Sequence, residues 1–230
     1  MRRWAAEPLP EGHLISIAGK TETDAAWPDA VGFVLAGGRS SRMGADKALV
    51  EFRGQPLVAH ALGVLRGAGL DASIAGARTA LGAFAPVVQD PDPGLGPLGG
   101  ICAALASTAA RWAVFLPVDL PLLPSALVWH LLDRARDTGR PVTIASVAEF
   151  EQTFPAVLDR ALLPFLQSEL DAGRGGCFSA FHVAAAGLGQ AVDVVPIELI
   201  VQAGQVVHPE GLPATSWFFN INSMDDLRRA

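Results

Sequence analysis

The segment from Val31 to Lys47, VGFVLAGGRSSRMGADK, constrains the fold of this chain more than any other segment. Its first part, Val31–Ala36, is apolar throughout and short enough to form one buried strand. Gly37 and Gly38 follow, and glycine frees the backbone for the tight turn that ends such a strand. The segment therefore predicts a buried strand that opens directly into a loop.

Three cations, Arg39, Arg42 and Lys47, stand in the loop after the glycines, although the net charge of the chain is -6. Backbone N–H groups in a glycine turn can approach an anion closely, and a guanidinium group can bind a phosphate through two parallel hydrogen bonds. Lys47 carries added weight because Lys20 is the only other lysine in the chain. The pattern favours a phosphate-binding loop over an ordinary turn with a solvated run of charge.

Two common phosphate-binding motifs do not fit this loop. A P-loop needs Gly-Lys-Ser/Thr at the start of a helix, whereas here Asp46 precedes Lys47 and Ala48 follows it. The dinucleotide fingerprint needs a third glycine at a fixed offset, and none stands at that position. A dinucleotide oxidoreductase is therefore the least favoured function.

Strand-like and helix-like segments alternate along the chain. The predicted strands are Val31–Ala36, Ala72–Ala75, Ala113–Val118, Val142–Val147, Phe154–Leu158, Ala191–Val195 and Trp217–Ile221. The predicted helices are Pro56–Ala68, Leu98–Ala110, Pro124–Asp137, Arg160–Ala172 and Met224–Arg229, the last with Ser223 and Asp226 as an N-cap pair. This alternation predicts a three-layer α/β/α fold with a mostly parallel sheet, whose binding sites lie at the carboxyl ends of the strands.

Length, charge and composition narrow the class of protein. A chain of 230 residues fits one large α/β domain, and we expect it to span residues 31–230 after an extension, residues 1–30, of unknown role. The chain shows neither a transmembrane run nor the apolar core of a secretory signal, so we expect a cytoplasmic protein with no membrane contact. Its acidic balance disfavours nucleic acid as a partner. Cys102 and Cys177 lack the spacing of metal ligands. The five histidines are scattered, and their spacing matches neither a catalytic triad nor a metal site.

Three further segments are candidates for a site, and each also has a structural interpretation. Asp119 follows the apolar run Trp112–Val118, where an aspartate serves as readily in a turn or helix cap as in a ligand site. The stretch Asp90–Ile101 is rich in proline and glycine and predicts a loop before a helix. Phe219–Leu227 predicts a last strand capped into a last helix.

The segment LAGGRSSRMGADK resembles the signature of nucleotidyltransferases that build nucleoside-diphosphate products. Its Leu-Ala-Gly-Gly opening, Arg42-Met43-Gly44 and the Asp46-Lys47 ending most resemble the molybdenum cofactor guanylyltransferases. The likeness extends from Val31 to about Leu227. It implies a Rossmann-like fold of the nucleotidyltransferase type, GTP and molybdopterin or Mo-molybdopterin as substrates, pyrophosphate as product and Mg²⁺ as cofactor. It leaves molybdoenzyme-maturation proteins open as partners.

The resemblance also implies roles for individual residues. Lys47, Arg42 and Asp119 would be catalytic, and Asp119 would hold Mg²⁺ with support from Asn222 or Asn220. Alternation along the predicted last strand puts both asparagines on one face, so the pattern does not separate them. The residues implied to contact the nucleotide are Leu35, Ala36, Gly37, Gly38, Arg39, Lys47, Asp90, Gly96, Pro97, Leu98, Gly99 and Asp119. Gly96–Gly100 would form a loop that closes over the nucleotide.

Two regions depart from the family pattern. Relatives often carry an asparagine at the end of the second strand that helps to read guanine, and Ile74–Arg78 has no amide. At the end expected to bind molybdopterin, relatives tend to have more basic residues than Arg174. A structural interpretation fits Arg174 equally, as a cation at a helix C-terminus with Gly175 as the cap.

Two alternative functions stay open, the second of them because the N-terminal extension has no match in the family. One is a molybdopterin cytidylyltransferase or another NTP:phosphate nucleotidyltransferase. The other is a non-catalytic nucleotide-binding module, which the presence of Lys47 and Asp119 disfavours.

Overall fold

The computed structural model describes residues 27–36, 46–76, 79–90 and 95–230. The strands in these ranges are β1 (Ala30–Leu35), β2 (Glu51–Phe52), β3 (Gln55–Pro56), β4 (Ala72–Ala75), β5 (Val87–Val88), β6 (Trp112–Pro117), β7 (Val142–Val147), β8 (Phe150–Asp159) and β9 (Asp193–Pro196). The helices are α1 (Leu57–Gly67), α2 (Gly96–Ser107), α3 (Ser125–Thr138), α4 (Leu163–Asp171), α5 (Cys177–Gly187), α6 (Ile197–Gln202), α7 (Ala214–Trp217) and α8 (Met224–Arg229).

Seven of these strands form one sheet in the order β5-β4-β1-β6-β8-β7-β9. Strand β8 runs antiparallel to both of its neighbours, and every other pair in this sheet is parallel. Strands β2 and β3 pair separately as a short antiparallel hairpin. The predicted α/β fold with a mostly parallel sheet is confirmed.

Side chains alternate across the sheet and bury two apolar cores, one on each face. Val34 of β1 and Leu116 of β6 pack in the core that α1 and α3 cover. Phe33 and Phe115, whose rings stack with centroids 5.5 Å apart, pack in the core that α2, α4 and α5 cover. A strand covered on both faces needs apolar residues throughout, which explains the unbroken apolar sequence of β1 and β6.

Packing of this domain begins before the predicted boundary at Val31. Trp27 is only 6% exposed and lies in the same core as α1. Its Nε1–H donates to the carbonyl of Ala68, at 2.8 Å, just beyond the end of α1. Residues 1–26 of the predicted extension lie outside the described residues.

The predicted strands Ala72–Ala75 and Val142–Val147 and the helix Met224–Arg229 have the observed bounds. Helices α5 and α6, strand β5 and the β2–β3 hairpin were not predicted. The predicted strand Trp217–Ile221 is wrong, since Trp217 ends helix α7 and the following residues are irregular. Trp217, Phe218 and Ile221 are buried, so this apolar segment packs in the core without forming a strand.

None of the helices within the described ranges has both the length and the apolar character needed to cross a membrane.

Candidate active site

The carboxyl ends of β1 and β6 lie side by side, because the two strands pair in parallel with Leu35 opposite Pro117. Beyond the last pair, the N–H of Ala36 donates to the carbonyl of Ala75, at 3.2 Å. Leu35 and Ala36, both predicted nucleotide contacts, are 7% and 4% exposed. Their side chains belong to the core, so a ligand could meet only their backbone. This edge of the sheet is where ligand sites form in α/β folds.

Lys47, Asp119 and Asn222 converge at this edge. Lys47 Nζ donates to Asp119 Oδ2 at 2.8 Å and to Asn222 Oδ1 at 2.7 Å. The Lys47 and Asp119 side chains are 18% and 22% exposed, so their ion pair is largely shielded yet open to solvent on one side. Three residues that the sequence singled out from distant segments therefore form one cluster, in which an ammonium group bridges a carboxylate and an amide oxygen.

The local structure around Lys47 fixes the start of its side chain. Lys47 opens a short 3₁₀-helix, Lys47–Leu49, and Asp46 caps it by accepting the N–H of Ala48 at 3.1 Å. Ala48 is buried against the core, so the turn is anchored on its inner side. The Lys47 side chain can then reach across to Asp119 while its backbone stays fixed.

The segment that carries Asn222 is fixed from both sides. The N–H of Ile221 donates to the carbonyl of Asp119 at 3.0 Å, and the Ile221 side chain is fully buried. On the other side, Asp226 Oδ2 accepts the N–H of Asn222 at 2.9 Å and the hydroxyl of Ser223 at 2.8 Å. These hydrogen bonds, that of Ser223 foremost, hold the pKa of Asp226 below its usual range. The predicted Ser223–Asp226 cap of α8 is confirmed, and it orients Asn222 as well.

Asn220 and Asn222 do not point to the same place. Asn220 Nδ2 donates to the carbonyl of Phe218 at 3.3 Å, whereas Asn222 contacts Lys47. The prediction that both share one strand face was wrong, because residues 218–222 do not form a strand. Asn222 is therefore the asparagine that belongs to the Lys47–Asp119 cluster.

The cluster has the donor chemistry of a divalent-cation site. Asp119 Oδ1 is buried and has no hydrogen-bond partner among the described residues, although Oδ2 of the same carboxylate is paired with Lys47. Asn222 Oδ1 adds a neutral oxygen beside it. Within the described ranges, His, Cys, Asp and Glu side chains nowhere form a metal-binding group of three or more. One carboxylate and one amide oxygen suit Mg²⁺, which takes few protein ligands and completes its shell with phosphate oxygens and water.

Four of the predicted phosphate contacts, Gly37, Gly38, Arg39 and Arg42, lie outside the described residues. The described residues end at Ala36, after β1, and resume at Asp46, directly before Lys47. Their predicted roles therefore stay predictions.

The predicted loop Gly96–Gly100 is the first turn of α2, with Pro97 near its start. Gly96 has a φ of +71°, a conformation that glycine adopts without strain. Leu98 is fully buried in the core, so its side chain is not available to a ligand. Asp90 is 9% exposed and lies against this turn, since a Cβ added to Gly99 would stand 2.9 Å from Asp90 Oδ2.

Gly99→Ala should therefore lower stability by about 1–3 kcal/mol, the usual cost of overpacking a core. The added methyl would also meet Leu95 Cβ at 3.1 Å, so neither neighbour leaves room for it. Gly100→Ala is the matched control, because a Cβ there meets nothing within 4 Å. That variant should gain about 0.5–1 kcal/mol from helix propensity. Urea denaturation of both variants checks this, and equal stabilities would contradict the packing argument.

Arg174 is held by Glu169. Its Nε and Nη2 donate to the two carboxylate oxygens at 2.7 and 2.6 Å. The Glu169 side chain is 6% exposed and that of Arg174 is 60% exposed. The Arg174 N–H also donates to the Glu169 carbonyl at 2.8 Å, and Gly173, with a φ of +74°, ends α4. The capping glycine is thus Gly173 and not Gly175, and an acceptor could reach only the exposed edge of the guanidinium group.

The ion pair predicts a pH-dependent contribution to stability. The hydrogen bond from Arg174 holds the pKa of Glu169 below its ordinary value of 4.5. A carboxyl whose pKa falls on folding stabilises the protein fully above its unfolded pKa and loses that effect as the pH falls through the folded pKa. Glu169→Gln should therefore be less stable than the parent at neutral pH, and the gap should close in acid. A gap that stays constant in acid denaturant titrations would show that the charge is not responsible.

Neither cysteine has the properties of a nucleophile. Burial raises the pKa of Cys102 to about 11 and that of Cys177 to about 12. Cys102 lies within the core beside α4, as expected of a small apolar residue. Both thiols therefore stay protonated at neutral pH.

Comparison with known proteins identifies the family of this chain. The family model of the MobA-like NTP transferase domain matches residues 32–185. A molybdenum cofactor guanylyltransferase of Vibrio atlanticus is 35% identical over 144 residues, 61% of this chain and 74% of that protein. Another, of Xanthomonas euvesicatoria pv. vesicatoria, is 47% identical over 103 residues, 44% of this chain and 52% of that protein.

Solved structures share the fold. Molybdopterin-guanine dinucleotide biosynthesis protein A of Archaeoglobus fulgidus superimposes with a TM-score of 0.68 at 21% identity, covering 86% of this chain and 95% of that one. A Mycobacterium tuberculosis protein in complex with manganese gives a TM-score of 0.55 at 22% identity, covering 74% and 88%. The family model covers well over half of this chain, and the Vibrio relative aligns over most of its own length. The chain therefore belongs to the MobA-like NTP transferase family and is a nucleotidyltransferase.

Proposed function

We propose that this protein transfers GMP from GTP to the phosphate of molybdopterin and releases pyrophosphate. The relatives named as molybdenum cofactor guanylyltransferases, at 35% and 47% identity, support the choice of substrates. The observation that carries the proposal is the convergence of Lys47, Asp119 and Asn222 at the carboxyl edge of the sheet. That cluster pairs a cation for phosphates with oxygen ligands for a metal.

The reaction places few chemical demands on the protein. A phosphate oxygen of the acceptor attacks the α-phosphorus of GTP, and the bond to the bridging oxygen of pyrophosphate breaks. Because the acceptor carries its own nucleophilic oxygen, no strong general base is needed. The difficulty is to bring two anions together, so catalysis should consist of positioning and charge neutralisation.

Asp119 would hold Mg²⁺ through its unpaired Oδ1, with Asn222 Oδ1 as the supporting oxygen. When bound, Mg²⁺ would neutralise phosphate charge at the reacting centre. Lys47 now neutralises Asp119, and nucleotide phosphates placed at this edge would compete for its ammonium group. Lys47 would then bind phosphate and leave the carboxylate to the metal. Arg39, Arg42 and the backbone of 36–39 would complete the phosphate site, as the sequence predicts.

The whole described domain contributes to this site. Lys47 and Asn222 are 175 residues apart in the chain and share one hydrogen bond. This supports our inference that the predicted unit of residues 31–230 works as one nucleotidyltransferase domain, to which Trp27 and Ala30 also belong, with the residues before Trp27 as an extension. A cytoplasmic location and transfer of the product to molybdoenzyme-maturation proteins belong to the same proposal.

Base selectivity tests the proposal. We expect GTP to be consumed in preference to CTP, ATP and UTP when each is incubated with the protein, Mg²⁺ and molybdopterin. The end of β4 offers no side-chain amide to read guanine, so we expect backbone groups and Asp90 to contribute to selectivity. Preferred consumption of CTP would identify a cytidylyltransferase. Nucleotide binding without consumption in the presence of molybdopterin would identify a binding module.

A further inference from the structure

The turn that carries Asp119 is attached to the C-terminal segment at both of its ends. At one end, the Asp119 carbonyl accepts the N–H of Ile221 at 3.0 Å. At the other end, the Leu122 carbonyl accepts a hydrogen bond from His208 Nε2 at 3.0 Å. The turn also closes on itself, since the N–H of Leu123 donates to the carbonyl of Leu120 at 3.3 Å. These two hydrogen bonds join the backbone of the turn to the C-terminal segment, in addition to the side-chain bridge from Asp119 through Lys47 to Asn222.

Both ring nitrogens of His208 make hydrogen bonds. Its Nδ1 accepts the N–H of Glu210 at 3.1 Å, so the ring proton resides on Nε2 and points to Leu122. The residue is 8% exposed, which leaves little room for water to replace either hydrogen bond. A buried carbonyl that loses its donor costs free energy, so the bond to Leu122 favours one position of the turn.

His208 also contacts the segment that leads to Asn222. Its ring lies 6.0 Å from the ring of Trp217, centroid to centroid, with the planes tilted by 33°. Trp217 is 1% exposed and is fixed in turn by a 2.9 Å hydrogen bond from its Nε1 to the Leu212 carbonyl. The irregular residues from Phe218 to Asn222 follow directly. One imidazole thus touches the two segments that supply the oxygens of the candidate metal site.

The turn of Asp119 lines a cavity on the side of His208. A cavity of about 200 Å³ is bounded by His60, His208, Glu210 and Pro121–Ser125, which form the second half of the turn and the start of α3. His60 does not hold the turn, because its Nε2 bonds to the carbonyl of Phe52 at 2.7 Å. A loosened turn could therefore shift into this cavity and carry Asp119 with it.

We propose that His208 is a positioning residue. Through its hydrogen bond to the Leu122 carbonyl, it holds the turn of Asp119 in a fixed position relative to the segment of Asn222. This inference rests on the proposed metal site at Asp119. None of the hydrogen bonds described for His208 goes to a side chain of the Lys47–Asp119–Asn222 cluster. It acts through the backbone of the turn.

Two conservative variants separate this role from simple packing. His208→Gln can keep a donor near the position of Nε2 and loses the acceptor for Glu210. His208→Asn can keep that acceptor and loses the donor to Leu122. If the donor to Leu122 matters, Gln should retain the metal affinity of the parent, whereas Asn should lower it by about tenfold or more, as loss of a partner that orients a ligand usually does.

The measurement is calorimetric titration of the nucleotide-free protein with Mn²⁺, with thermal melts of each variant. GTP turnover is measured in parallel, and for the Asn variant kcat should fall more than KM for GTP rises. Equal Mn²⁺ affinity in the Gln and Asn variants would overturn the inference, whether both match the parent or both weaken. Asp119→Asn is the reference variant for the metal site. If Asp119→Asn loses Mn²⁺ binding while His208→Asn binds Mn²⁺ normally, only the role of His208 is refuted. Unchanged Mn²⁺ binding in Asp119→Asn refutes the metal site and this inference together.

Discussion

Asp119→Asn should reduce GMP transfer by at least about a hundredfold, since one preorganised electrostatic group is typically worth on the order of 3 kcal/mol in a transition state. The variant keeps the shape of the side chain and can still accept the hydrogen bond from Lys47, but it removes the charge that a divalent cation needs. Asp119 stands at a strand end and is 22% exposed, so the fold should survive. Pyrophosphate release and a thermal melt measure the two effects separately.

Asp193→Asn is the matched control for this change. Asp193 lies on β9, pairs with Arg134 at 2.7 Å and is 13% exposed, so it also loses a partly shielded ion pair. We expect a small loss of stability and normal turnover. Full activity in Asp119→Asn would show that Asp119 only stabilises the turn and that the metal binds elsewhere.

Lys47→Ala should lower the rate of pyrophosphate release by roughly a hundredfold, because the ammonium group would meet charge that develops on the leaving group. The ion pair with Asp119 means that this variant also loses some stability, about 1 kcal/mol or less for a pair that remains partly exposed. Lys47→Arg separates the two effects, since arginine can keep the ion pair. Its wider planar group should not replace a point charge at a tight phosphate site, so we expect a normal melt and impaired turnover.

Lys47→Met should strengthen Mn²⁺ binding although it abolishes activity. Without nucleotide, the ammonium group competes with a divalent cation for Asp119, so its removal should tighten Mn²⁺ binding. The same variant should be inactive in GMP transfer. Unchanged pyrophosphate release in Lys47→Ala, or weaker Mn²⁺ binding in Lys47→Met, would contradict the role given to Lys47.

The sequence predicted the parts of the fold that follow from unbroken apolar runs. β1 and β6 are buried on both faces, so their composition alone indicated a central parallel sheet. The position of Asp119 after β6, and of Lys47 after the loop from β1, then located the site edge. Helix α5 escaped prediction because its alanine-rich sequence follows Gly175 and Gly176 and carries little amphipathic pattern.

Individual side-chain contacts could not be predicted. The bond from His208 to the Leu122 carbonyl spans 86 residues, and a carbonyl acceptor leaves no trace in the sequence. The pairing of Arg174 with Glu169 was not predicted, because Gly175 was taken to be the capping glycine. The helix instead ends at Gly173, and the turn there brings the two side chains together. The segment Trp217–Ile221 was predicted as a strand because it is largely apolar, but Trp217, Phe218 and Ile221 are buried in the core without strand pairing.

The most direct test of the account follows the phosphorus atoms of GTP. The protein is incubated with molybdopterin, Mg²⁺ and GTP labelled either at the α-phosphate or at the γ-phosphate, and the products are separated. We predict that the α-label appears in a molybdopterin–guanine dinucleotide and the γ-label in pyrophosphate, in equal amounts. Appearance of the γ-label as free phosphate, or an α-label that never joins molybdopterin, would contradict guanylyl transfer as the function of this protein.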